Sequence, residues 1–186
     1  MLILASKSPR RKELMEYVGE EFVIASAEVD ESYDENLSPD KVVEYLSYIK
    51  AMPLNNGENI VIGADTVVSV DGNILGKPEN EEDAFKMLRK LSGREHTVYT
   101  GVTLAKGEKT RTFSVATKVY FYDLSDKEIL EYIKSGEPMD KAGAYGIQGK
   151  GCIFIEKIDG DYFNVVGLPV SRLKKELEKM KGENYD

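Results

Sequence analysis

The residues best suited to chemistry in this sequence fall in four short segments. The first is Ser6-Lys7-Ser8-Pro9-Arg10-Arg11. Serine followed by proline reads as an N-cap and a first helical position, so Arg10 and Arg11 lie in the first turn of a helix. Free N–H groups and the positive dipole end are already there, and two cations add nothing to helix stability. They suit a bound anion. Solvated surface arginines are the alternative, and position alone does not choose. The second segment is Gly63-Ala64-Asp65-Thr66, inside the apolar run Ile60 to Val70. Val61-Ile62 and Val67-Val68 are apolar on both faces of a strand, which reads as buried on both sides. A carboxylate there is costly without a partner, so Asp65 is expected to face a polar site, as a ligand for Mg²⁺ or as a general base.

The third segment, Gly76-Lys77-Pro78, holds a lysine on a turn about a dozen residues past Asp65, across the hairpin turn Asp71-Gly72. The fourth, Asp140 to Gly149, is rich in glycine and can bring backbone N–H groups close to a phosphate or a base. It is not a P-loop: Ala144 stands where the first glycine would fall, and Gly151 replaces the Ser or Thr after Gly149-Lys150. It is not a dinucleotide fingerprint either, because Phe154 occupies the third glycine position after Gly149 and Gly151. Asp30-Glu31 offers a second metal ligand, although acidic runs are usually only solvated. His96 and Cys152, the single histidine and the single cysteine, read as a structural residue and a small core hydrophobe.

Strands and helices must position these groups, and the pattern supplies them in alternation. Strands are expected at Leu2 to Ala5, Phe22 to Ala25, Ile60 to Val70, His96 to Ala105 and Thr110 to Tyr122. Ser38-Pro39, Asn80 and Ser125 with Glu128 mark helix starts, and Gly19 and Gly136 mark stops. Gly151 to Ile158 and Tyr162 to Val166 read as a hairpin across Asp159-Gly160, and Pro169 begins a last helix. Interleaved helices with several hairpins imply an α/β fold with a central mixed sheet flanked by helices.

A chain of 186 residues with 41% hydrophobic and 31% charged residues can bury a core as one domain over 1–186. The net charge of -8 argues against a nucleic-acid coat protein and leaves room for a local phosphate pocket. A lone thiol, no membrane-length apolar run and no secretory leader fit a cytoplasmic location.

Taken together, the segments resemble the Maf proteins, also called Maf-like or septum-formation proteins. The resemblance runs through Leu4-Ala5-Ser6-x-Ser8-Pro9-Arg10-Arg11, Gly63-Ala64-Asp65-Thr66-Val67-Val68 and Gly76-Lys77-Pro78. It continues through Leu91-Ser92-Gly93-Arg94-x-His96, Asp140 to Gly149 and Asn164-Val165-Val166-Gly167-Leu168-Pro169. One departure is Ser47, which stands for an alanine in the stretch that ends on Lys50-Ala51. The resemblance implies an inosine triphosphatase-like (Maf/HAM1-type) fold with a cleft between two lobes. It implies a homodimer and a nucleoside triphosphate pyrophosphatase that uses a divalent cation, Mg or Mn. Asp65 would accept the proton and, with Glu31, hold the metal. Ser8, Arg10, Arg11, Lys50, Thr66, Lys77 and Gln148 would bind substrate. Arg11, Thr66 and Gln148 mark the subgroup acting on dTTP, UTP and modified pyrimidine triphosphates. The rival expectation is a nucleotide-binding regulator of septation that hydrolyses nothing.

Overall fold

A computed structural model describes residues 1–182; positions 183–186 of the expected 1–186 unit lie outside the described residues. The chain opens with β1 (Leu2–Ala5), α1 (Pro9–Glu16), β2 (Phe22–Ala25) and α2 (Pro39–Ala51). It continues with β3 (Ile60–Val70), β4 (Asn73–Leu75), α3 (Glu81–Leu91), β5 (Glu95–Lys106) and β6 (Lys109–Phe121). α4 (Asp126–Ile133), β7 (Ile155–Asp159), α5 (Tyr162–Val166) and α6 (Val170–Lys181) complete it. The helix starts follow local chemistry. Ser8 accepts from the Arg11 N–H, Asn80 accepts from the Asp83 N–H at 2.9 Å, and Ser125 and Glu128 form a capping box. Ser38 precedes α2 without capping it through its side chain.

The strands form one mixed sheet in the order β2-β1-β3-β5-β6-β7, with β4 also paired to β3. β1 and β2 are parallel, as are β1 and β3; the long β3, β5 and β6 are antiparallel. β3 is the spine of the architecture. β5 pairs with it along one edge from Val61 to Ser69. On the other edge β1 covers only Ile60 to Gly63, and β4 covers only Val68 to Val70. The sheet therefore splits beside residues 64–67 of β3. Each side of the split has its own apolar cluster. One gathers β1, α1 and α6 around Leu4, Leu14, Ile62, Leu104 and Leu173. The other gathers α3, α4 and the end of β6 around Val68, Leu88, Phe121, Ile129 and Phe154. This is the cleft between two lobes.

α2 crosses the opposite face of β3 and β5 at close quarters. A Cβ added at Gly63 would lie 2.1 Å from the Ser47 carbonyl oxygen, and one at Gly101 would lie 2.2 Å from that of Val43. Only glycine admits the helix backbone at that distance. Ser47 itself is fully buried and shares a hydrogen bond of 2.9 Å with Thr103 Oγ1, so its hydroxyl is satisfied.

Three expectations are corrected. Residues 162–166 are helical, not the second strand of a hairpin. Asp161 caps the Phe163 N–H at 2.8 Å, and the buried Asn164 donates to the Val98 carbonyl and to Thr117 Oγ1. These tertiary bonds override the β preference of Tyr, Phe and Val. Residues 150–154 form a 3₁₀ turn, so β7 begins only at Ile155. In consequence Cys152 is exposed on that turn and is no core residue.

Candidate active site

The split in the sheet opens a cavity of about 300 Å³, lined by residues from all four chemical segments. A neighbouring cavity of about 690 Å³ extends it along Ser6 to Arg11 and residues 26–29. Ser8, Arg10, Arg11, Glu31, Lys50 and Lys77 border both. Asp65, Thr66 and Gln148 line the first. The structure thus brings together every site residue expected from the sequence, although they are spread along the chain from Ser8 to Gln148.

Asp65 sits on the stretch of β3 whose one edge is left unpaired between β1 and β4, and it is largely buried. Lys50, from the last turn of α2, places its ammonium 2.6 Å from Asp65 Oδ1 and 2.9 Å from Glu31 Oε2. One lysine therefore bridges two carboxylates, and the close helix packing at Gly63 puts it there. The carboxylates converge on the Lys50 ammonium, so a metal would take their other oxygens. Among the described residues no three His, Cys, Asp or Glu side chains gather into a cage. Two converging carboxylates fit a hard divalent ion that takes its remaining ligands from water and phosphate oxygens. They do not fit a closed structural zinc site.

Arg11 reaches into the split from α1 and acts as its clasp. Its guanidinium donates to the Gly167 carbonyl at 2.9 Å, the Ala64 carbonyl at 2.9 Å and Thr66 Oγ1 at 3.0 Å. The Ala64 carbonyl lies where β1 has ended, so the arginine satisfies a strand group that no neighbouring strand reaches. Burial lowers the Arg11 pKa, Asp65 opposes that shift, and Arg10 adds to it. Arginine stays charged under such shifts. Thr66 Oγ1 also shares a hydrogen bond of 2.8 Å with Thr100 Oγ1. By contrast, Arg10, Lys77 and Gln148 line the cavity and make no hydrogen bond or ion pair through their side chains among the described residues.

The base of the cleft includes groups that residue type alone does not single out. Tyr145, Ile147, Val68 and Val166 supply apolar and aromatic surface beside Gln148. Tyr145 belongs to the fourth segment, yet its role needs the fold: its hydroxyl bonds the buried His96 Nε2 at 2.7 Å. Asp140 and Lys141 also border the cavity and pair with each other at 2.7 Å.

Residues 1–180 match the family described as "Maf-like protein". A relative from Geobacillus sp. (strain WCH70), named dTTP/UTP pyrophosphatase, is 51% identical over 181 residues, which is 96% of this chain and 97% of that protein. A second with the same name, from Bacillus cereus (strain ATCC 10987 / NRS 248), is 52% identical over 180 residues, covering 96% and 89%. Among solved structures, the Staphylococcus aureus Ham1 protein is similar in fold, with a TM-score of 0.53 at 16% identity, covering 96% of this chain and 98% of that one.

Proposed function

Because the chain belongs to the Maf-like protein family, we propose that it hydrolyses dTTP and UTP to the monophosphate and pyrophosphate, the activity its near-full-length relatives are named for. The observation that carries this reading is the position of Asp65. Its carboxylate is held by Lys50 at the split in the sheet, in the cavity that Tyr145 and Gln148 also line, and Ser8, Arg10, Arg11 and Lys77 continue from there into the neighbouring cavity. A triphosphate would lie along those cations with its base against Tyr145 and Gln148.

The mechanism follows from the free atoms. Asp65 Oδ1 is engaged by Lys50, which leaves Oδ2 to accept a proton from the attacking water. The water oxygen bonds the α-phosphorus, and the bond to the bridging oxygen of pyrophosphate breaks. Arg10 and Lys77 face the charge that grows on the leaving group, with the fixed Arg11 cation behind them. Ser8 lies at the start of α1, where backbone N–H groups point at the same anion. Glu31 and Asp65 would hold a divalent cation, Mg or Mn, that neutralises phosphate charge when bound.

Base choice rests on Gln148. Its carboxamide can match the N3–H and a carbonyl of uracil or thymine. A site built on such bonds disfavours bases that leave its polar groups unpaired. Thr66 acts at one remove, by fixing Arg11.

The same reading takes residues 1–186 as one catalytic unit in the cytoplasm that works as a homodimer. No helix among the described residues is long and apolar enough to cross a membrane. The edge strand β2 exposes Val23 and Ile24, an apolar edge that a second copy could cover.

The test is a panel of nucleoside triphosphates with Mg²⁺ or Mn²⁺, analysed for both nucleotide and phosphate products. dTTP and UTP should be turned over efficiently, CTP less, and ATP and GTP little, with pyrophosphate as the first product. Orthophosphate as the first product would overturn the reaction class. Binding without any product would favour a regulator.

A further inference from the structure

The segment that carries Gln148 has no regular secondary structure from Tyr145 to Gly149, yet recognition of a base needs it fixed. Its anchor is a residue that does not touch the cleft. Glu137 sits on the turn after Gly136, and both of its carboxylate oxygens are turned onto the segment. Oε2 accepts from the Lys150 N–H at 2.9 Å, and Oε1 accepts from the Gly151 N–H at 3.2 Å. Oε1 also accepts from the Tyr132 hydroxyl at 2.8 Å, and that hydroxyl in turn accepts from the Gly146 N–H at 3.2 Å. The chain on both sides of Gln148 is therefore tied to one carboxylate, directly at 150 and 151 and through Tyr132 at 146.

Packing agrees with the bonds. Gly149 has φ -104, which any residue adopts, so its backbone does not demand glycine. A Cβ there would lie 2.3 Å from Glu137 Oε1, so it is the carboxylate that demands it. A Cβ at Gly146 would lie 2.7 Å from Cε of Lys141, whose ammonium donates to the Glu137 carbonyl at 2.9 Å. Tyr132 is buried and stacks edge-on against Phe154 at 5.0 Å between centroids, so the hydroxyl is held in place from α4. Burial alone would raise the Glu137 pKa, but the Lys150 N–H, the Tyr132 hydroxyl and the Gly151 N–H outweigh it and hold the carboxyl below the ordinary range.

We propose that Glu137, with Tyr132, is the positioning residue for base selection: its carboxylate fixes the 146–151 segment so that Gln148 presents one orientation to the pyrimidine. Neither residue borders the cavity, so both act through the loop and not on the substrate. This rests on the proposed dTTP/UTP activity, and it concerns the fit of the base more than the bond-breaking step.

The experiment compares wild-type protein with Glu137→Gln and Tyr132→Phe, each close in shape to the native residue. Amide hydrogen exchange, read over the whole chain, should rise in segment 146–151 of both variants and stay near wild type in β3 and α2. KM for UTP should rise roughly tenfold with a smaller change in kcat, and the UTP:CTP ratio of kcat/KM should fall by a similar factor. Gly149→Ala should mimic Glu137→Gln, and adding Glu137→Ala to it should relieve its clash without restoring base choice. Unchanged exchange at 146–151, or an unchanged UTP:CTP ratio in variants that fold, overturns the inference. If wild-type protein releases no pyrophosphate from UTP, the proposed activity fails, and the anchoring is then decided by the exchange data alone.

Discussion

At the scale of single residues, the cleft divides its cations into two kinds. Lys50 and Arg11 are engaged by the protein itself, while Arg10 and Lys77 are free to meet phosphate. Different consequences follow for each. Asp65→Asn keeps the shape of the side chain and removes its basicity. Turnover should fall by about a hundredfold or more, with little change in melting temperature; near-normal turnover would remove Asp65 as the proton acceptor. Arg11→Lys keeps the charge but loses the fork that spans Gly167, Ala64 and Thr66. Stranded carbonyls at the sheet split should lower unfolding stability by about 2 kcal/mol in urea titrations, and activity should fall with it. A variant with wild-type stability would show that the clasp is dispensable. These residue types were legible in the sequence as candidates. That Arg11 is a clasp was not, because two of its acceptors are backbone carbonyls, which no residue pattern displays. Glu137 was hidden for the same reason: its partners include the N–H groups of Lys150 and Gly151.

At the scale of elements, the site depends on how closely α2 lies on the sheet. Gly63→Ala would drive a methyl into the Ser47 carbonyl and lift the helix that carries Lys50. A loss of about 3 kcal/mol in stability is expected, with a parallel loss of activity; a variant as stable and active as wild type would show that α2 can shift without moving Lys50. The strands of the central sheet and the helix starts at Ser8, Asn80 and Ser125 were readable because local chemistry decides them. The mixed sheet flanked by helices followed from their alternation. The helix at 162–166 was not readable, because Asn164 is held by Val98 and Thr117, which are distant in sequence. The exposure of Cys152 follows from the 3₁₀ turn at 150–154, whose first two N–H groups are held by the carboxylate of Glu137. The split in the sheet also escaped the pattern, since it arises from β1 and β4 being short, not from anything within β3.

At the scale of the whole molecule, the two lobes meet along β3, and stability there should depend on pH through His96. Burial lowers its pKa from 6.5 to about 4. Between those values the unfolded chain binds a proton that the folded chain does not, so stability falls as pH drops from about 6.5 towards 4 and levels off below. The difference is worth about 3 kcal/mol, and it should vanish in His96→Gln when urea midpoints at pH 7 and near pH 4.5 are compared with wild type. Equal slopes in the two proteins would mean that His96 is not buried neutral. The function proposed at this scale is the alignment of a triphosphate along both cavities, with its α-phosphorus beside Asp65. That alignment is tested most directly by hydrolysing UTP in water enriched in heavy oxygen and locating the label by mass spectrometry. Attack guided by Asp65 at the α-phosphorus places the label in UMP and leaves pyrophosphate unlabelled. Label in the pyrophosphate, or release of labelled orthophosphate, would contradict it.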